Sequence, residues 1–267
     1  MMFLFRKIRN TILCHSELGS ESRDVETKKR VQGDKIFKKT LAFTLAETLI
    51  VMGIIGVVAA LTIPNLNSST ADKEKVAKVK KIYSNLNDAL GRAQVVYGPV
   101  EEWKQLDSTK DAQTARFGER LTEFMKVSKN CGIDNRGCFP DKEIKFRSGA
   151  ASGVQADGGY YYRVILADGS SVGLSNGTIE VDIDGPNKGS AQLGYDMFLF
   201  RCLDGEVVPF SIGGAFIALL NNLKQNGEGQ SASLWIINYD NMDYLKLDSS
   251  GKCPNGTTPT EQNPRCK

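Results

Sequence analysis

The longest apolar stretch of the chain runs from Phe43 to Ile63 and contains one charged residue, Glu47. At a rise of about 1.5 Å per residue, a helix over this stretch is roughly 31 Å long, which matches the hydrocarbon thickness of a bilayer. The pattern therefore predicts a transmembrane helix over residues 43–63. Pro64 follows directly, and because proline cannot donate a backbone hydrogen bond, we expect a helix kink there.

Two other interpretations of the stretch explain less of it. A secretory signal peptide has an apolar core of about 7–15 residues followed by a small-residue cleavage site. This core is longer, and "VVAALT" offers such a site only weakly. A plain membrane anchor explains the length but not Glu47, because intramembrane carboxylates are rare and usually functional.

A second helical pattern continues over residues 64–97. Apolar residues recur there at alternating spacings of three and four, which predicts an amphipathic helix that ends at Gly98-Pro99: Val76, Val79, Tyr83, Leu86, Leu90, Ala93 and Tyr97. A short coiled coil has the same stripe. We expect the lysines between residues 73 and 81 to form a solvated face, with contact to lipid headgroups as the alternative.

The rest of the chain, residues 98–267, is predicted to be a mixed globular part, which we call the head. Another helical pattern extends from Glu101 to Val127, around Trp103 and Phe117. Asp-Gly and Asn-Gly turns then separate five predicted strands: Tyr160–Leu166, Ser171–Leu174, Thr178–Ile183, Met197–Leu203 and Val207–Phe210. "LWIINYD" predicts a late strand or short buried segment. The expected fold class is α+β, with the long N-terminal helix packed on a small antiparallel sheet.

Charge is distributed unevenly along the chain. Residues 1–42 carry a net charge of +5, whereas the remainder carries −2. A basic segment before an apolar helix is typical of an N-terminus that stays in the cytoplasm while the following residues cross the membrane. The acidic remainder gives no electrostatic reason to expect nucleic-acid binding.

The six cysteines predict local disulfides rather than a metal site. No CxxC motif occurs, and the single histidine is His15, so a Cys/His zinc site is disfavoured. If the head is exported, the two short spacings favour the pairs Cys131–Cys138 and Cys253–Cys266. Cys202 is then left over, and free thiols at all five downstream positions are the alternative.

A loop after the third predicted strand carries three aspartates in "DIDGPNKGSAQLGYDMF", namely Asp182, Asp184 and Asp196. Their oxygens are suitable ligands for calcium. The spacing is not that of an EF-hand, and solvated aspartates in a turn-rich connection are the alternative.

The segment "LAFTLAETLIVMGIIGVVAALTIP" resembles the N-terminus of type IV prepilins and of type II secretion pseudopilins. The residues that match this family's motif are Phe43, Thr44, Leu45 and Glu47. The resemblance implies that residues 1–42 are a leader, that prepilin peptidase cuts between Ala42 and Phe43, and that Phe43 is then N-methylated. It also implies that Glu47 pairs with the Phe43 amine of a neighbouring subunit during assembly. Ala42 departs from the family, which usually has glycine before the cut.

The resemblance implies a structural function. The chain would be held in the bacterial inner membrane, with its N-terminus cytoplasmic and its head periplasmic, until it joins other copies or related subunits in a pilus or pseudopilus. Some such pseudopilins bind calcium near the end of the sheet. A membrane-anchored binding protein that does not polymerise is the alternative. An enzyme is not expected, because the head contains no histidine, GxSxG motif, P-loop or HExxH motif.

Overall fold

A computed structural model describes residues 44–105, 110–133, 136–158, 161–175 and 177–266, with backbone only for 61–69, 104–105 and 110–111. The chain divides into two units, residues 1–52 and residues 53–267. Within the described part of the chain, no helix meets the length and apolarity needed to cross a membrane.

Helix α1 extends from Leu45 to Tyr97, so the helical backbone continues through position 64. Its second half is amphipathic, as predicted, and contributes one buried stripe to the main core: Val76, Val79, Ile82, Leu86, Ala89, Leu90 and Ala93. Tyr83 and Tyr97 are only partly buried at the margin of that core. The helix ends where Gly98 adopts a φ of 78°, a left-handed conformation that glycine tolerates best.

The helical pattern predicted from Glu101 to Val127 is divided into two helices. Helix α2 spans Val100–Gln105 and helix α3 spans Lys110–Thr122. Trp103 and Phe117 are both buried, and their ring centroids lie 6.3 Å apart. Gly118 allows α3 to approach the sheet closely, since a Cβ there would lie 2.1 Å from Cγ of Tyr162.

A six-stranded antiparallel sheet lies next to these helices in the order β1-β4-β5-β6-β7-β8. Its strands are β1 (Val127–Ile133), β4 (Tyr162–Leu166), β5 (Ser171–Leu174), β6 (Thr178–Asp182), β7 (Met197–Leu203) and β8 (Glu206–Pro209). The α+β class and the antiparallel sheet are therefore confirmed. Strand β1 was not predicted, because its exposed residues and two register shifts obscure any alternation.

A separate two-stranded hairpin, β2 (Glu143–Lys145) and β3 (Ala151–Gln155), contributes Ile144 to the layer on the second face of the sheet. A smaller apolar cluster fills this layer and includes Phe139, Ile144, Leu193, Met197 and Leu199. Arg163 is also buried here, where its guanidinium lies 5.6 Å from the Phe139 ring centroid and 5.3 Å from that of Tyr161. Both faces of the sheet therefore carry buried residues, so β4, β5 and β6 are buried over nearly their whole length.

Two short helices follow the sheet, α4 (Phe216–Leu223) and α5 (Ala232–Tyr239), and a 3₁₀ helix spans Asp243–Lys246. Of the two expectations for "LWIINYD", the late strand is wrong and the short buried segment is confirmed, because these residues form most of α5 and the position after it. Trp235 at its centre is buried and packs edge-to-face on Tyr239 and Tyr244 at centroid distances of 5.0 and 6.0 Å. A short apolar run fits a buried helix as well as a strand.

The lysine-rich side of α1 is not merely solvated. Lys75 Nζ donates to the Tyr195 carbonyl at 3.1 Å, and Lys78 Nζ donates to the Ile183 carbonyl. Lys80 pairs with Asp240 at 2.9 Å. Lys75 and Lys78 therefore hold the connection between β6 and β7, whereas Lys80 contacts Asp240 at the C-terminal end of the helix Ala232–Tyr239.

Candidate functional site

The first turn of α1 carries the motif that the sequence singled out. Thr44 lies just before the helix, and Glu47 is the acidic residue of the first turn. Oε2 of Glu47 accepts hydrogen bonds from the backbone N–H and the hydroxyl of Thr44 at 2.8 and 3.0 Å. The backbone N–H of Glu47 donates to Oγ1 of Thr44 at 3.3 Å. Ala42 and Phe43, the predicted cleavage and methylation residues, lie outside the described residues.

These reciprocal bonds form a capping box, in which a Thr and a Glu three residues later satisfy N–H groups that the first turn leaves free. This role of Thr44 was not predicted, although its signal was present as Thr-x-x-Glu immediately before an apolar run. Glu47 therefore has a local structural role as well as its predicted role in assembly.

The helix beyond this cap is apolar and exposed on all sides. Leu49, Ile50 and Met52 are 64%, 62% and 71% exposed, and Ile54, Ile55, Val57 and Val58 are exposed to a similar degree. A Cβ added at Gly53 or Gly56 would meet no side chain within 4 Å, so no described part of the chain covers these positions. An apolar surface of this extent indicates contact with lipid or with another apolar surface.

The three aspartates of the loop after β6 lie near one another. A Cβ on Gly189 would lie 2.6 Å from Oδ2 of Asp196 and 3.3 Å from Oδ2 of Asp184. Oδ1 of Asp182 accepts the N–H groups of Asp184 and Gly185 at 2.9 and 3.1 Å. Asp196 accepts hydrogen bonds from backbone N–H groups at positions 190 and 192 and from a serine hydroxyl.

Burial raises the pKa of Asp182 to about 7, and the charges of Asp196 and Asp184 act in the same direction. Backbone hydrogen bonds to its carboxylate oppose this shift. Among the described residues, no three His, Cys, Asp or Glu side chains are placed to hold one metal ion. Because Oδ1 of Asp182 and both oxygens of Asp196 accept hydrogen bonds that close their own loop, the described side chains do not form the predicted calcium site.

Both predicted disulfides are present. Cys131 is bonded to Cys138, and Cys253 is bonded to Cys266. Cys202 is buried in β7 and belongs to neither disulfide. The first bond closes the connection between β1 and the hairpin layer, and the second closes the C-terminal loop. Two structural disulfides are typical of a protein that folds in an oxidising compartment.

Comparison with protein-family models, with curated proteins and with solved structures finds no match to this chain. The functional assignment therefore depends on the residues and geometry described above.

Proposed function

We propose that this chain is a structural subunit of a type IV pilus or of a type II secretion pseudopilus. It is anchored in the inner membrane by residues 43–63 and polymerises through the N-terminal part of α1. The observation that carries the proposal is the exposed apolar start of α1, which opens with a capped turn containing the only charge of the apolar stretch.

The proposal assigns a separate function to each part of the chain. Residues 1–42 are the leader, and the cut between Ala42 and Phe43 leaves a free amine at the cytoplasmic face, which is methylated in a second step. Residues 64–97 carry the head, whose disulfides agree with a periplasmic location. Prepilin peptidase and other copies of the subunit are the required partners.

Glu47 supplies the specific contact of assembly in this proposal. A carboxylate in an apolar surrounding is stabilised by a cation, and the Phe43 amine of a neighbouring subunit is a cation at the same membrane depth. Glu47 exchanges its hydrogen bonds with Thr44 for this pair when the neighbour arrives. The apolar sides of the helix then pack against other subunits instead of lipid.

Mass spectrometry of the N-terminus tests the processing step. The full chain is produced together with a prepilin peptidase and extracted from membranes, and we expect a mature chain that begins with methylated Phe43. The matched variants are Ala42→Gly, which restores the family residue and should be cut at least as well, and Ala42→Leu, which should remain uncut. An intact chain, or a cut near Ala60, would refute the proposal.

Polymerisation is tested separately, because processing alone does not distinguish a filament subunit from an anchored binding protein, which forms no fibre. Sheared-cell fractions are examined for filaments by sedimentation and electron microscopy. Processed chain that remains entirely in the membrane fraction, with the assembly machinery present, would favour the alternative of an anchored, non-polymerising protein.

A further inference from the structure

A cavity of about 270 Å³ opens on one side of the head, between α1, the connection from α3 to β1, and the turn from β4 to β5. Phe124, Met125 and Leu166 provide its apolar part. Three cations line it as well: Lys81 and Arg92 from α1, and Lys126 from the connection to β1. We call this feature the socket.

The socket carries an excess of positive charge. Arg92 pairs with Asp88 at 2.7 Å, and Lys81 pairs with Asp168 at 3.5 Å. Both carboxylates therefore already have a cation. Lys126 is exposed, and within the described part of the chain it forms no ion pair. A ligand that suits the socket has an apolar group next to negative charge.

The turn between β7 and β8 has this combination. Leu203 is 56% exposed, and two exposed carboxylates, Asp204 and Glu206, lie next to it in the turn. Asp204 and Gly205 have φ values of 50° and 78°, which is the conformation of a tight two-residue hairpin turn. Gln94 Nε2 donates to the Gly205 carbonyl at 2.9 Å and holds the turn in place. We call residues 203–206 the knob.

The knob and the socket lie at opposite edges of the sheet. The socket borders β1 and β4, whereas the knob joins β7 and β8, the last two strands in the order β1-β4-β5-β6-β7-β8. They also lie on different sides of α1, because Gln94 contacts the knob while Lys81 and Arg92 line the socket. A knob therefore cannot enter the socket of its own chain.

We propose that the knob of one subunit docks in the socket of a second copy of this chain. Leu203 enters the apolar part beside Phe124 and Met125, and the acidic residues of the knob approach Lys126. Because two different surfaces are used, the contact is heterologous and repeats from one copy to the next as an open chain rather than closing as a pair. The inference rests on the proposed polymerisation and names the contact between heads within it.

Two features favour this contact over other exposed surfaces of the head. The knob is held by its turn geometry and by Gln94, so docking orders little additional backbone. The charges of the two surfaces are complementary, which selects partner and orientation. An exposed charge pair of this kind contributes up to about fivefold in affinity, so single charge changes should weaken assembly without abolishing it.

Cross-linking in intact filaments tests the geometry. A full-length chain carrying Leu203→Cys and Met125→Cys is assembled in cells and treated with a short bismaleimide. We expect a ladder of multimers, whereas each single variant gives monomers. Val154→Cys with Met125→Cys is the matched control, because Val154 is 51% exposed but lies on the β2–β3 hairpin. Dimers from Leu203→Cys alone, or a product containing a different protein, would overturn the proposal.

Charge reversal tests the energetics. We expect Asp204→Lys and Lys126→Glu each to lower filament yield roughly two- to fivefold, and the double variant to recover most of the wild-type yield. Asp141→Lys makes the same charge change at a carboxylate that is 81% exposed and belongs to neither surface, and should have no effect.

The outcomes of these experiments distinguish failure of the knob-and-socket contact from failure of the proposed function. Wild-type chain that is processed but never forms filaments refutes the proposed function. Filaments that form without the cross-linked ladder, and that tolerate both charge reversals, refute the knob-and-socket contact alone. Near-ultraviolet circular dichroism of each purified variant confirms that a lower filament yield does not reflect misfolding.

Discussion

The two roles assigned to Glu47 can be separated by changing its charge and its hydrogen bonds independently. Glu47→Gln removes the charge but keeps an oxygen that accepts both hydrogen bonds from Thr44, and glutamine serves in capping boxes as glutamate does. Glu47→Ala removes the charge and both bonds. Thr44→Ala keeps the charge and the backbone bond but removes the two hydrogen bonds of the hydroxyl.

The expected magnitudes follow from these contacts. Loss of a threonine cap costs a helix about 1 kcal/mol, so Thr44→Ala should lower the population of the helical first turn roughly fivefold. Assembly of that variant should fall by a similar factor or less. Removal of one partner from a buried charge pair weakens association by roughly thirtyfold or more. Glu47→Gln and Glu47→Ala should therefore both lose filaments, although only Glu47→Ala also weakens the first turn.

Filament yield from sheared cells measures assembly, and amide hydrogen exchange at residues 45–50 in detergent measures the first turn. Cleavage before Phe43, measured by mass spectrometry, is the control that all three variants reach the assembly step. If Glu47→Gln assembles as well as the wild type, the charge is not used in assembly and Glu47 serves only as a helix cap.

Three further predictions concern the stability of the head and of the half of α1 that packs on it. Gly118→Ala should lower the free energy of unfolding by about 1–3 kcal/mol, because the added methyl group collides with the buried ring of Tyr162. Gly91→Ala, on the open face of α1, should raise it by about 0.5–1 kcal/mol. Urea unfolding followed by tryptophan fluorescence measures both changes. Asn87→Ala should cost roughly 2–4 kcal/mol in the same assay, because the Asn87 amide pairs with both the N–H and the carbonyl of buried Val207 at the edge of β8. The free energy of unfolding should fall by up to about 4 kcal/mol as the pH rises from 4 to 7. The reason is that the pKa of Asp182 is raised to about 7 in the folded chain, which therefore keeps a proton over this range that the unfolded chain has already lost. Asp182→Asn should make the free energy of unfolding less dependent on pH.

Each of these predictions has a result that would contradict it. Equal effects of the two glycine substitutions would mean that the close approach of α3 to the sheet is absent in solution. An Asn87→Ala variant as stable as the wild type would mean that water replaces the amide at the edge of β8. A pH dependence that is unchanged in Asp182→Asn would assign the titration to another group, such as Glu180, whose pKa is also raised by burial.

The repeating patterns of the sequence predicted most of the elements. The spacing of apolar residues identified α1 and its buried side, and the Asp-Gly and Asn-Gly turns located β4 to β7 to within two residues. The short cysteine spacings identified both disulfides. These features are local, because the period of an element and the length of a turn depend on neighbouring residues.

The candidate sites also differ in how far local sequence signals define them. The Thr-x-x-Glu cap is a local signal that can be recognised in the sequence alone. The role of the three aspartates cannot be recognised in this way. Asp182, Asp184 and Asp196 are suitable ligands by residue type, but whether their oxygens face a cation or backbone N–H groups depends on how the loop closes. Closure brings the N–H groups of the loop to Asp182 and Asp196.

The sequence by itself determined the apolar start of α1, the amphipathic helix after it and strands β4 to β8. The tertiary structure alone decided that "LWIINYD" is helical, that a second apolar cluster lies on the other face of the sheet, and that the knob and the socket lie at opposite edges. The physical reason is that the spacing of apolar residues indicates which side of a helix or strand is buried, but not which other segment of the chain covers that side. That choice depends on contacts between residues far apart in the chain.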